Sequence, residues 1–127
     1  MVKILKIGDW MSKSVTTITK EKTVYEAAKL MDELNIGSLP VVEKGVPIGI
    51  VTERDIIRRA VAKDKDIHKT KINEIMTKDP VTVDDDTSIL EVSRIMSEHN
   101  FRRVMVVKKG KLLGIVTAKD IINITST

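Results

Sequence analysis

The chain repeats itself. Gly49-Ile50-Val51-Thr52-Glu53-Arg54-Asp55-Ile56-Ile57 returns as Gly114-Ile115-Val116-Thr117-Ala118-Lys119-Asp120-Ile121-Ile122, a shift of 65 residues. Carried without a gap from Lys6 to Ile57, the shift pairs 52 positions, and 20 of them are identical, too many for shared composition to produce. Whatever the first copy folds into, the second must also fold into. Two copies of this period imply two related half-domains facing one another rather than an open array.

Each copy reads strand, helix, strand, strand, helix. Val15-Thr16-Thr17-Ile18 and Val81-Thr82-Val83 are β-branched runs, the second opened by Pro80, and predict short strands. Thr23-Val24-Tyr25-Glu26 and Ser88-Ile89-Leu90-Glu91 have the form of a capping box, hydroxyl first and carboxylate three residues on, so helices start there. Val24, Ala27, Ala28, Met31 and Leu34 recur at helical spacing, as do Ile89, Val92, Met96 and His99. These predict one buried stripe per helix, ending near Asn35 and Asn100, with Met31 and Met96 as core.

Two continuous apolar runs, from Leu39 to Val42 and from Val104 to Val107, are each followed by a glycine turn and a further apolar run, which predicts a hairpin. The second helix of the first copy, from Glu53, is expected to place Ile56, Ile57, Ala60 and Val61 on one side. Ile7 to Met11 and Ile72 to Met76 read as short helical lead-ins. The organisation expected is a first repeat over 7–62, a charged linker over 63–71 and a second repeat over 72–124, together one module 1–127. A half of this size is marginal alone, so the halves are expected to share a core. The class is α/β, with small mixed sheets packed against helices.

Composition excludes more than it selects. There is no cysteine, hence no disulfide framework, thiolate metal site or cysteine nucleophile. No apolar run approaches the roughly 20 residues that span a bilayer, and Met1 to Ile7 is too short and too interrupted by lysine for a signal peptide. A cytoplasmic protein is expected. A net charge of +4 suits phosphate-bearing partners, while the near absence of rings (Trp10, Tyr25, Phe101) argues against base-stacking platforms. Many Lys, Glu and Ile residues fit a thermophilic source. His68 and His99 have no second ligand at metal-like spacing, and no P-loop follows the glycines. No nucleophile stands beside a base, so the expectation is a non-enzyme with no metal and no required cofactor.

The repeated motif brings a hydroxyl, a cation and a carboxylate to the mouth of a helix. A carboxylate can accept both hydroxyls of a cis-diol, and unpaired amides with Arg54 or Lys119 beside them offer an anion seat. Thr-x-x-Asp before an apolar stripe is equally what an ordinary helix N-terminus looks like. Both readings stand on the sequence.

The duplication, the order of elements and the two Gly-Ile-Val-Thr-x-x-Asp-Ile-Ile motifs resemble a pair of cystathionine-β-synthase (CBS) domains, the tandem unit called a Bateman module. The resemblance covers Ile7 to Ile122. It implies two β-α-β-β-α repeats related by a pseudo-twofold, with clefts that bind AMP, ADP, ATP or S-adenosylmethionine. By position, Asp55 and Asp120 would hold ribose hydroxyls, with Thr52 and Thr117 close by. Gly37-Ser38 in the first copy becomes Arg102-Arg103 in the second, where the family's nucleotide binders contact phosphate. The resemblance therefore implies one site of Thr117, Lys119, Asp120, Arg102 and Arg103, completed by Thr16, Ser38 and Pro40. A second would comprise Thr52, Arg54 and Asp55 with Val81, Arg103 and Met105. Val15, Ile18, Val83 and Val104 are candidate walls for the base. It also implies a homodimer of modules regulating an unidentified protein. A basic nucleic-acid-binding protein and a dimerisation unit with empty clefts are the competing readings.

Overall fold

The computed structural model describes residues 5–9, 11 and 15–125. Trp10, and Met1 to Ile4 of the amino-terminal stretch read above, lie outside the described residues. The chain divides into two compact units: one is Thr16–Pro80, the other joins the described part of Met1–Val15 to Val81–Thr127.

In Thr16–Pro80, α1 (Val24–Leu34) begins where its sequence says it should. The Thr23 hydroxyl accepts the Glu26 amide at 3.2 Å and the Glu26 carboxylate accepts the Thr23 amide at 3.4 Å. Asn35, at φ 54°, ends it. Two strands follow, β1 (Ser38–Glu43) and β2 (Val46–Thr52), paired antiparallel through a turn in which Lys44 and Gly45 both take positive φ. A helical turn α2 (Glu53–Asp55) then widens into a π-helix over Ile56–Val61. After a 3-10 turn at Ile72–Glu74, β3 (Thr77–Lys78) adds antiparallel to β2.

The other unit repeats the plan. It runs β4 (Thr82–Asp84), α3 (Ile89–His99), β5 (Arg103–Lys108), β6 (Lys111–Thr117) and α4 (Ala118–Thr125), with β4 parallel and β6 antiparallel to β5. Ser88 caps α3 by accepting the Glu91 amide at 3.1 Å, but the expected box stays half-formed because the Glu91 carboxylate pairs with Arg94; Asn100 closes the helix at φ 56°. The hairpin bulge falls between Val41 and Val42 in one copy and between Val106 and Val107 in the other, 65 residues on.

Five expectations need correcting. The strand at Val15–Ile18 shrinks to a single parallel bridge, Ile18 with Val41. A parallel ladder continued toward Thr16 would draw on the amide of residue 40, which is Pro40 and has none to give; the second copy has Met105 there, and β4 forms in full.

The helix stripes stop one turn early, for Leu34 is 47% exposed and His99 is exposed. The Ile36 amide bonds back to the Met31 carbonyl at 3.0 Å, a closure that lays the residue after the cap against the helix's last inner turn. Ile36 takes the place Leu34 would have filled.

In the second helix Ile56 and Ala60 face inward while Ile57 and Val61 are about 60% exposed. Ile56 and Ala60 stand one turn apart in one row, and Ile57 and Val61 occupy the neighbouring row, turned away from it.

The buried residues form two clusters among the described residues, not the shared core expected. The lead-ins explain this. Ile7 lies in the cluster with Val83, Val92 and Val104, its amide bonded to the Thr87 carbonyl at 2.8 Å. Ile72, Ile75 and Met76 lie in the cluster with Val24, Met31 and Val41. Each lead-in thus closes the core of the other repeat's body. The segment 63–71 is itself anchored, since the Tyr25 and Val24 amides bond to the Ile67 and Thr70 carbonyls at 3.0 and 2.9 Å.

Finally, Ile18, Val83 and Val104, the candidate walls, are buried members of these cores.

Candidate functional site

Both copies of the motif sit where a strand runs into a helix, and both use the acid to cap that helix. Thr52 donates its amide to Asp55 Oδ2 at 3.0 Å and accepts the Asp55 amide on its hydroxyl at 3.1 Å. Thr117 donates its amide to Asp120 Oδ2 at 2.8 Å and accepts the Asp120 amide at 3.1 Å. The local geometry of a capping box has won in each, at the cost of one carboxylate oxygen.

The second oxygen distinguishes the copies. Asp55 is buried, 8% exposed. Its Oδ1 accepts the Thr77 hydroxyl at 3.3 Å and faces the Arg59 guanidinium at 3.8 Å, while the Thr52 hydroxyl adds a further contact to Oδ2 at 3.1 Å. Asp120 is half-buried, and among the described residues no donor reaches its Oδ1. The shift of 65 puts Ile124 in the place of Arg59. Arg59 was legible in the sequence, one helical turn past Asp55; Thr77, a strand away on β3, was not.

Three cations lie on the segments that lead to Asp120. Arg103 lies opposite Thr117 in the β5–β6 register, so the two side chains share a face. Lys119 is exposed between the motif Thr and Asp. The Arg102 carbonyl accepts the Ala118 amide at 2.8 Å, which ties the residue leading into β5 to the start of α4. Neither guanidinium nor the Lys119 ammonium has an ion pair or side-chain hydrogen bond among the described residues.

The remaining expected residues are placed as follows. Ser38 pairs with Thr52 across β1 and β2, Pro40 is buried in β1, and Thr16 is half-buried. Arg54 is exposed beside Asp55, Val81 is exposed before β4, and the Met105 side chain is 2% exposed in β5. Among the described residues no three His, Asp or Glu side chains gather as a metal would require, and no helix is long and apolar enough to cross a membrane.

Two copies of a small mixed sheet with capping helices, each ending in the same Thr-x-x-Asp turn, define a tandem-repeat module of α/β class. The family model described as CBS domain matches residues 7–62 and again 72–126, and the chain belongs to that family as a tandem pair. It is 42% identical over 118 residues to the uncharacterized protein YlbB of Bacillus subtilis, covering 91% of this chain and 79% of that one. It is 36% identical to the CBS domain-containing protein YhcV of the same organism, covering 91% and 81%. Among solved structures it is similar to the CBS domain pair of protein MJ0100 in complex with 5-methylthioadenosine and S-adenosyl-L-methionine. The TM-score there is 0.84 at 34% identity, with 98% of each chain covered.

Proposed function

We propose that this chain is a non-catalytic regulatory module that binds an adenosine-containing ligand, AMP, ADP or ATP before S-adenosylmethionine, and passes its occupancy to a partner protein. The observation that carries the reading is Asp120, whose Oδ1 meets no donor among the described residues, with Arg103 and Lys119 on the segments beside it and no ion pair to either among those residues. A ribose cis-diol on that oxygen and a phosphate on Arg103 and Lys119 would use all three groups, and Thr117 holds the acid in place. The MJ0100 pair, similar over almost its whole length, is a solved complex with two adenosine derivatives. The motif at Asp55, with both carboxylate oxygens engaged, is a structural cap in this reading, so one ligand is expected per chain at the second motif.

Calorimetric titration of the purified chain with AMP, ADP, ATP and S-adenosylmethionine tests the proposal. One binding event per chain, with thermal stabilisation of about 2.7 kcal/mol at a hundredfold ligand excess over Kd, supports it. No heat and an unmoved melting curve with all four ligands would sink it.

A further inference from the structure

A groove of about 430 Å³ runs between α1 and the segment that pairs with the outer side of β1. Thr17 and Thr19 line one side, Lys22, Lys29 and Glu33 line the other, and Ile18 and Leu30 lie between them. None of the residues that line it belongs to the nucleotide site proposed above.

The strand side of the groove is an open sheet edge. Ile18 spends both its backbone groups on β1, its amide on the Pro40 carbonyl at 3.0 Å and its carbonyl on the Val42 amide at 3.1 Å. Backbone groups alternate sides along an extended chain, so those of Thr17 and Thr19 face away from β1 and present the edge that another strand can join. The Thr19 carbonyl accepts the Lys22 amide at 3.3 Å; among the described residues the Thr17 amide, the Thr17 carbonyl and the Thr19 amide have no backbone partner. Both threonines are exposed.

Charge sets the kind of strand that fits. Lys22 and Lys29 are exposed and have no ion pair among the described residues. The nearby Glu26 carboxylate is turned to the Thr23 amide at 3.4 Å. The second copy differs at the same places. The shift of 65 puts Thr87 for Lys22, Asp84 for Thr19 and Arg94 for Lys29, and Arg94 is held between Glu91 and Glu98. One cation is lost there, an acid is gained, and the remaining cation is neutralised by its own helix.

We propose that this groove of the first repeat docks an extended acidic segment of the regulated protein. The segment adds as a strand to the Thr17–Thr19 edge, sets an apolar side chain against Leu30 and turns carboxylates to Lys22 and Lys29. Main-chain bonds supply affinity in such strand addition, and the alternate side chains supply specificity. The inference rests on the regulatory reading for the existence of a partner, and on the groove for where and how that partner binds.

Panning a phage-displayed library of random nine-residue peptides on the full chain, without nucleotide, tests it. Enriched peptides should alternate acidic with apolar residues, and a fluorescent peptide of the enriched sequence should bind in solution. The chain carrying both Lys22→Glu and Lys29→Glu should bind it about tenfold or more weakly, and Glu33→Lys should bind it more tightly. Thr17→Pro removes an edge amide and leaves both Ile18 bonds in place, and should cost about fivefold; N-methylating alternate amides of the peptide should cost as much from the other side. Melting curves check that each variant is folded. No enrichment, enrichment of basic peptides, or a peptide indifferent to the lysine changes or to N-methylation would overturn the proposal. Nucleotide binding without groove-dependent peptide binding would sink this inference alone, and peptide binding with a silent nucleotide titration would sink the ligand reading alone.

Discussion

The Thr77 hydroxyl donates to Asp55 Oδ1 across 3.3 Å, from a strand 22 residues further along the chain. Asp120, at the same place in the second motif, receives no such donor among the described residues. Two motifs that match in Thr, Asp and flanking isoleucines therefore differ, among the described residues, in what reaches their acids. Asp55 is engaged through both carboxylate oxygens, and Asp120 through Oδ2.

The first prediction separates those roles. Asp120→Ala should weaken nucleotide binding by about 1.5–3 kcal/mol, the worth of a hydrogen bond to a charged group. Removing the 2′-hydroxyl, with 2′-deoxy-AMP, should forfeit much of the same contribution. Calorimetry on the pair of proteins and the pair of ligands reads this directly, and equal affinities throughout would remove Asp120 from the site.

Asp55→Ala should act on stability instead. It strips the acceptor from the Thr52 amide, the Thr52 hydroxyl and the Thr77 hydroxyl and leaves Arg59 without its carboxylate. The cost should be about 1–3 kcal/mol in urea unfolding, with nucleotide affinity of the folded protein unchanged. A loss of binding without a loss of stability would reverse the assignment.

Arg103→Ala should discriminate by ligand charge. AMP and ATP lose affinity while adenosine loses little, because the guanidinium addresses phosphate and not sugar or base. Raising the salt concentration should narrow the difference between AMP and adenosine in the parent protein. Equal losses for nucleotide and nucleoside would mean that Arg103 only shapes the strand.

Gly49 tests the packing of β3. A Cβ there would lie 2.7 Å from the Met76 sulfur and 2.9 Å from the Thr77 carbonyl oxygen, so Gly49→Ala should destabilise by about 1–3 kcal/mol through overpacking. Since Thr77 would shift with it, the bond to Asp55 should loosen too. Denaturant midpoints report the first effect; a midpoint equal to the parent's would show that β3 yields freely.

Leu39→Ala provides the scale. Leu39 is 0% exposed in the first core, and deleting its side chain should cost about 2–5 kcal/mol. A cost well below that range would show a core able to collapse around the cavity.

The sequence by itself determined the duplication, the α/β class, the family and the caps of α1 and α3. Those features are local: a hydroxyl, a carboxylate three residues on and an apolar stripe at helical spacing need nothing distant to act. It also placed the Thr-x-x-Asp turns and the exchange of Gly37-Ser38 for Arg102-Arg103, which are differences between aligned copies. Only the tertiary structure decided that Asp55 meets a second donor, because Thr77 reaches it through strand pairing and no spacing rule foretells it. It likewise decided that Ile57 and Val61 face out. It gave each core the other repeat's lead-in, a choice between equivalent partners that burial makes in space and that the order of residues leaves open.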